Sequence, residues 1–214
     1  MQPNIVAHAL AYVKQIFQND YSGHDYFHAL RVYNMATHIA EREGADMPTV
    51  QHVALLHDVD DIKLSPATHQ NKDNARRFLA QNGADQAKID EICRMIEEIS
   101  YVGNDSVTPA TLEGKCAQDA DRLDAIGAIG IARAFAYGGS HRRLMHHPDI
   151  APKLNMTEKE YRQSNSTTIN HFYEKLFLLT DMMSTDTAKR IAKQREQYMR
   201  DFIDEFMTEW DGER

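Results

Sequence analysis

Cysteine, tryptophan and long apolar runs are scarce in this chain of 214 residues. The two cysteines, Cys93 and Cys116, form neither a C-x-x-C pair nor the dense framework of small secreted domains, and both read as small buried side chains. The longest apolar stretch, Ala125 to Ala132, contains two glycines and stops at Arg133, far short of the ~20 largely uncharged residues that cross a bilayer. Basic residues are also in deficit. The 24 Lys and Arg stand against 32 Asp and Glu, a net charge of -8, which repels a polyanion and disfavours long nucleic acid as a partner. A small anionic substrate stays open, because a metal ion and a few bases at one site reverse the local potential. Met1 to Leu10 lacks the basic start and apolar stretch of a secretory signal, so the expected location is cytoplasmic, with no membrane partner.

Sustained period-2 runs joined by Asn-Gly or Asp-Gly are missing, which argues against a sheet. Repeats at a fixed period are missing too, which argues against a solenoid. What is present is helical periodicity over a globular composition, 42% apolar and 26% charged. Helices are expected over Ile5 to Phe17, Asp25 to Glu43 closed by Gly44, Val50 to Asp58 after Pro48-Thr49, Gln70 to Gln81 ended by Gly83, and Asp85 to Ser100. A loop from Gly103 to Pro109 leads to one long helix, Ala110 to Tyr137, stopped by Gly138-Gly139. An irregular stretch to Pro152 precedes two closing helices, Ser166 to Met183 and Thr187 to Trp210. The expected fold is all-α: one compact domain over 1-214, with an N-terminal helix 4-18 and C-terminal helices 166-210 packed on a core 21-137.

Against that background stands a scattered set of metal-type ligands: His28, the pair His57-Asp58, and Asp121. Singly, each has an ordinary reading as a surface histidine or a helix cap. The pair is different, because it directly continues the apolar Val53-Ala54-Leu55-Leu56, and ionisable groups carried into an apolar interior need a partner or a metal.

Here the sequence resembles the HD superfamily of metal-dependent phosphohydrolases, whose signature is H…HD…D. His28 lies in His24-Asp25-Tyr26-Phe27-His28-Ala29-Leu30-Arg31-Val32, similar to the first motif, a histidine followed three residues later by Arg. His57-Asp58 matches the namesake pair. Asp121, in Gln118-Asp119-Ala120-Asp121-Arg122-Leu123-Asp124, resembles the last motif. Asn170 to Leu176 and the Thr185-Ala188-Lys189 stretch look like the C-terminal portion of small stand-alone bacterial members, so the likeness runs from about Tyr21 to Lys193.

The resemblance implies one divalent cation on His28, His57, Asp58 and Asp121. The mixed N/O set accommodates Mn²⁺, Mg²⁺, Fe²⁺, Co²⁺, Ni²⁺ or Zn²⁺ without fixing which, and Mn²⁺ is the expected ion. Such an ion activates water and neutralises phosphoryl charge. Asp61 is the expected carboxylate that positions or deprotonates the water. It stands where guanosine-polyphosphate hydrolases carry the glutamate of HDxxED, but Ile62 replaces the second acid, and Asp60-Asp61 also read as a solvated acidic turn. Glu97 and Glu98 are further candidates. A polyphosphate needs cations: Arg31, one turn after His28 and also assigned to catalysis, with Lys63, Lys72, Arg76, Arg122 and Lys175. His141 to His147 reads as a surface loop or a lid, and Tyr198 to Trp210 as an amphipathic helix whose Phe202, Ile203, Phe206 and Met207 face core or a second copy. The expected activity is hydrolysis of nucleoside triphosphates to monophosphate and pyrophosphate. The rival readings are a nucleotide phosphomonoesterase, a cyclic-nucleotide phosphodiesterase, or a nucleotide sensor without turnover.

Overall fold

The structure is a computed structural model that describes residues 5-17, 25-62, 64-99, 106-154, 156 and 166-213. Among them there is no strand, and no helix is long and apolar enough to cross a membrane. The fold is all-α. The chain divides into two compact units, residues 1-100 with 107-121, and residues 101-106 with 122-214.

The first unit holds α1 (Ile5–Ile16), α2 (Tyr26–Glu43), α3 (Met47–Leu56), α4 (Asp73–Gln81), α5 (Gln86–Ile99) and most of α6 (Leu112–Asp124). Its centre is α3, whose Val50, Val53, Ala54, Leu55 and Leu56 are fully buried, each leucine contributing about 1.5–3 kcal/mol of hydrophobic stabilisation. It packs against α1, α2 and α5. Side-chain signals bound α2 at both ends: Asp25 accepts from the His28 N–H, and Gly44 takes the left-handed conformation (φ 73°) while its N–H closes on Ala40 O. The third helix starts earlier than the expected Val50. Asp46 caps it by accepting from the Thr49 N–H, and Pro48 sits in the first turn, where its missing N–H costs nothing.

The fourth helix starts later than expected, at Asp73, because Lys72 is left-handed (φ 55°). Its cap comes from far away in sequence. Asp60 accepts from the N–H groups of Asn74 (3.1 Å) and Ala75 (2.9 Å). The end of the fifth expected helix, Ser100, and part of the Gly103 to Pro109 loop lie outside the described residues.

The expected long helix from Ala110 to Tyr137 is two helices, α6 ending at Asp124 and α7 (Gly127–Ser140) in the second unit. The break falls at Gly127, with φ 74°, where a Cβ would stand 2.9 Å from Arg195 Cγ. Gly138 and Gly139 do not stop α7. Gly138 instead lets Thr168 approach, since its Oγ1 would lie 2.3 Å from a Cβ there.

The expected helix Ser166 to Met183 is also interrupted. It runs as α8 (Thr168–His171), a π-helical turn (Phe172–Leu176) and α9 (Leu178–Asp181), with the Phe177 N–H reaching back five residues to Phe172 O. The last helix, α10 (Asp186–Trp210), supplies Phe202 to an aromatic cluster with Phe135 and Phe172, ring centroids 5.8 and 6.1 Å away. On that face of α10 Ile203 is buried, while Phe202, Phe206 and Met207 are half-buried.

Candidate metal centre

Burial of α3 delivers its C-terminal end into the first unit's interior, and His57 is the C-cap. Its Nδ1–H donates to Ala54 O at 2.8 Å, because a carbonyl can only accept. This fixes the tautomer and leaves the Nε2 lone pair facing the site. On α2 the N-cap places His28, 1% exposed, one turn into the helix. The two Nε2 atoms are 3.3 Å apart and the rings are inclined by 68°.

Asp58 Oδ2 stands 3.3 Å from His28 Nε2 and 3.2 Å from His57 Nε2. Asp121 Oδ1, from α6, stands 3.4 and 3.8 Å from the same atoms. Donor atoms around one ion at ~2.0–2.2 Å are separated by about 3–3.5 Å, so the observed spacings fit a shared cation. His28, His57 and Asp58 by themselves keep all their ligand atoms within 4.8 Å of one another.

The electrostatics point the same way. Burial of the His57 ring favours the neutral form, but the Asp58 carboxylate, followed by Asp121 and the Ala54 carbonyl, outweighs it and raises the pKa to about 9. His52, on the same helix, shows the opposite case. It is 1% exposed, and burial pushes its pKa down in spite of the Pro48 carbonyl nearby. Two carboxylates thus make the cluster a place for positive charge.

The other expected site residues are spread more widely. Arg31 is half-buried on α2, three residues past His28. Asp61 is half-buried. Its N–H donates to Asp58 O (3.0 Å) and its carbonyl accepts from Leu64 and Ser65 (3.1 and 2.7 Å), forming a tight turn after the pair. Asp60 is not solvated; at 2% exposure it is the cap of α4. Glu97 is exposed, and Glu98 accepts from the Ala110 N–H.

Lys63 lies outside the described residues. Lys72 is buried and its Nζ donates to His69 O (2.9 Å). Arg76 is paired with Asp90. Arg122 and Lys175 belong to the second unit. There Arg122 is 3% exposed and its Nη1 donates to Met182 O, while Lys175 is half-buried in the π-helical turn. In the same unit, residues 141-154 carry no regular element and are tied down by backbone bonds from Thr168 to Leu144 O and from Ile169 to Met145 O. Sequence reasoning passed over Phe27, whose neighbour is His28 and whose ring is 63% exposed. The signal available was an aromatic residue inside the first histidine motif.

Comparison with known proteins adds independent findings. Residues 25–126 match the HD domain family. YpgQ of Bacillus subtilis (strain 168) is 34% identical over 194 residues, covering 90% of this chain and 87% of that protein, and its crystal structure in complex with ADP superposes with a TM-score of 0.76 over 95% of this chain and 97% of YpgQ. A crystal structure from Lactobacillus plantarum matches with a TM-score of 0.86 at 38% identity over 99% of both chains. An HD-superfamily hydrolase from Bacillus thuringiensis matches at 0.77 and 39% identity over 96% of both.

Proposed function

Because this chain belongs to the HD domain family, we propose that it is a metal-dependent phosphohydrolase that cleaves nucleoside triphosphates to monophosphate and pyrophosphate. The observation that carries the reading is the convergence of His28, His57, Asp58 and Asp121 at mutual distances suited to one ion. These four residues would hold a divalent cation, with Mn²⁺ favoured. When bound, it supplies a Lewis-acidic centre that lowers the pKa of water and offsets phosphoryl charge.

The chain's own groups do the rest. The Ala54 carbonyl holds the His57 tautomer, Asp61 orients or deprotonates the attacking water, and Arg31 holds phosphate oxygens beyond the four ligands. The nucleotide part of the reading draws support from YpgQ, a relative solved with ADP. With the distal phosphates on Arg31, the α-phosphate is the one presented to water, and the leaving group is pyrophosphate.

The test is metal analysis of the purified protein, then a screen of phosphorylated metabolites with Mn²⁺ in ¹⁸O-water. Label in the monophosphate is expected. Orthophosphate as first product would establish the phosphomonoesterase reading instead, label only in pyrophosphate would put the attack on the β-phosphorus and overturn the placement of the α-phosphate, and ADP binding without turnover of any phosphorylated compound would establish a sensor.

A further inference from the structure

We propose that Phe27 is the stacking platform for the base of a nucleotide whose phosphate lies at His28, His57, Asp58 and Asp121. The inference rests on the phosphohydrolase reading and adds the subsite for the base. Phe27 is 63% exposed while the next residue, His28, is 1% exposed. Successive helical residues point ~100° apart, so the exposed ring occupies the α2 face next to the one by which His28 enters the cluster.

The ring has a fixed support. Its centroid is 5.4 Å from that of Tyr26, inclined by 67°, and Tyr26 in turn carries Lys14 Nζ at 5.8 Å from its centroid. A single exposed phenylalanine needs no explanation. Here, however, the large exposed apolar side chains among the described residues of the first unit are Phe27, Ile62, Val107 and Leu112, and the first two flank the span from His28 to Asp58 in sequence. Phe27 adjoins His28, and Ile62, 47% exposed, follows Asp58 by four residues.

Phe27 also shares a helix face with Arg31, one turn on. An aromatic ring and a guanidinium so placed match the base and the distal phosphate of a nucleotide whose 5′-phosphate lies between them at the four ligands. Stacking reads the face of a base and not its edge, so it tolerates different bases and favours purines by area.

The test is titration calorimetry of the whole protein with Mn²⁺, using ADP and pyrophosphate as probes that differ by the nucleoside. The wild type is compared with Phe27→Ala, Phe27→Leu and Phe27→Trp, all at an exposed position. Phe27→Ala and Phe27→Leu should lower the ratio of ADP to pyrophosphate affinity by about 5–100-fold, the range found when base-stacking aromatics are removed. Phe27→Trp should restore it. A ratio unchanged in Phe27→Ala would overturn the platform while leaving the phosphohydrolase reading intact, provided turnover of nucleotide or tripolyphosphate persists. Pyrophosphate binding by the wild type with no gain for ADP would overturn the platform and the nucleotide reading together.

Discussion

His28 and His57 face each other through their Nε2 atoms at 3.3 Å. His57 commits its other nitrogen to Ala54 O, so its lone pair points into the gap, and two carboxylates close the remaining sides. A divalent cation there takes the place of the proton that the two carboxylates otherwise favour on His57. Mn²⁺ at 100 times its Kd should therefore stabilise the protein by about 2.7 kcal/mol, a rise in Tm of roughly 5–10 °C for a chain of this size. Scanning calorimetry with and without EDTA checks this, and a Tm indifferent to Mn²⁺ would refute a shared ion.

Asp58→Ala and Arg31→Ala should separate ion from substrate. Asp58 Oδ2 touches both histidines, so its removal should abolish metal retention and activity. Arg31 contributes charge to phosphate, so Arg31→Ala should keep the metal and raise KM by about tenfold, corresponding to ~1.4 kcal/mol. Plasma emission analysis beside steady-state kinetics tells the two apart, and equal metal loss in both would contradict the division.

Asp60, two residues from a ligand, should behave quite differently. Asp60→Ala removes the acceptor of two helix N-terminal N–H groups and should cost about 1–2 kcal/mol of stability. Urea denaturation at saturating Mn²⁺ measures it. Metal stoichiometry should stay at the wild-type value.

These cases show which parts of the fold a sequence displays. The limits of α2 are legible because Asp25 and Gly44 lie within a few residues of the groups they satisfy. The His57-Asp58 pair is legible because it rides directly on an apolar helix, whereas its meeting with His28 and Asp121 is implied only by the resemblance to the HD superfamily. The start of α4 is not legible, since its cap is Asp60, 15 residues before Ala75. Nor is the break after Asp124, where an isolated glycine in a helical pattern acquires its meaning only from Arg195 standing against it. Phe27 is opaque for a similar reason, as an exposed aromatic and a core aromatic are written alike.

Both thiols should be inert in the folded protein. Burial pushes Cys93 up to about 11 and Cys116 to about 12, so at pH 8 almost no thiolate exists to react. Ellman's reagent should titrate neither cysteine without denaturant and both with it. Rapid native labelling would show that these helices open more readily than their packing suggests.

His171 should make the protein acid-sensitive. Its burial, with Lys175 and Arg143 adding positive charge, pushes its pKa down to about 3, against ~6.5 in an unfolded chain. Between those values the unfolded state binds the extra proton, so stability falls as pH drops below ~6.5 and is independent of this group above it. Thermal melts from pH 7.5 to 4.5 should show a shallower decline for His171→Gln than for the wild type. Parallel slopes would remove His171 from the acid response.

The π-helical turn at Phe172–Leu176 has a bearing on chain length. Such a turn holds one residue more than a continuous α-helix would, and every residue after it is rotated accordingly. Removing Tyr173, whose ring meets Phe177 edge-on at 5.3 Å, would let the segment rewind as ordinary helix and swing Leu176, Phe177 and Leu179, all buried, by ~100°. This stretch should therefore accept exchanges of side chain at position 173 more readily than the loss of a single residue.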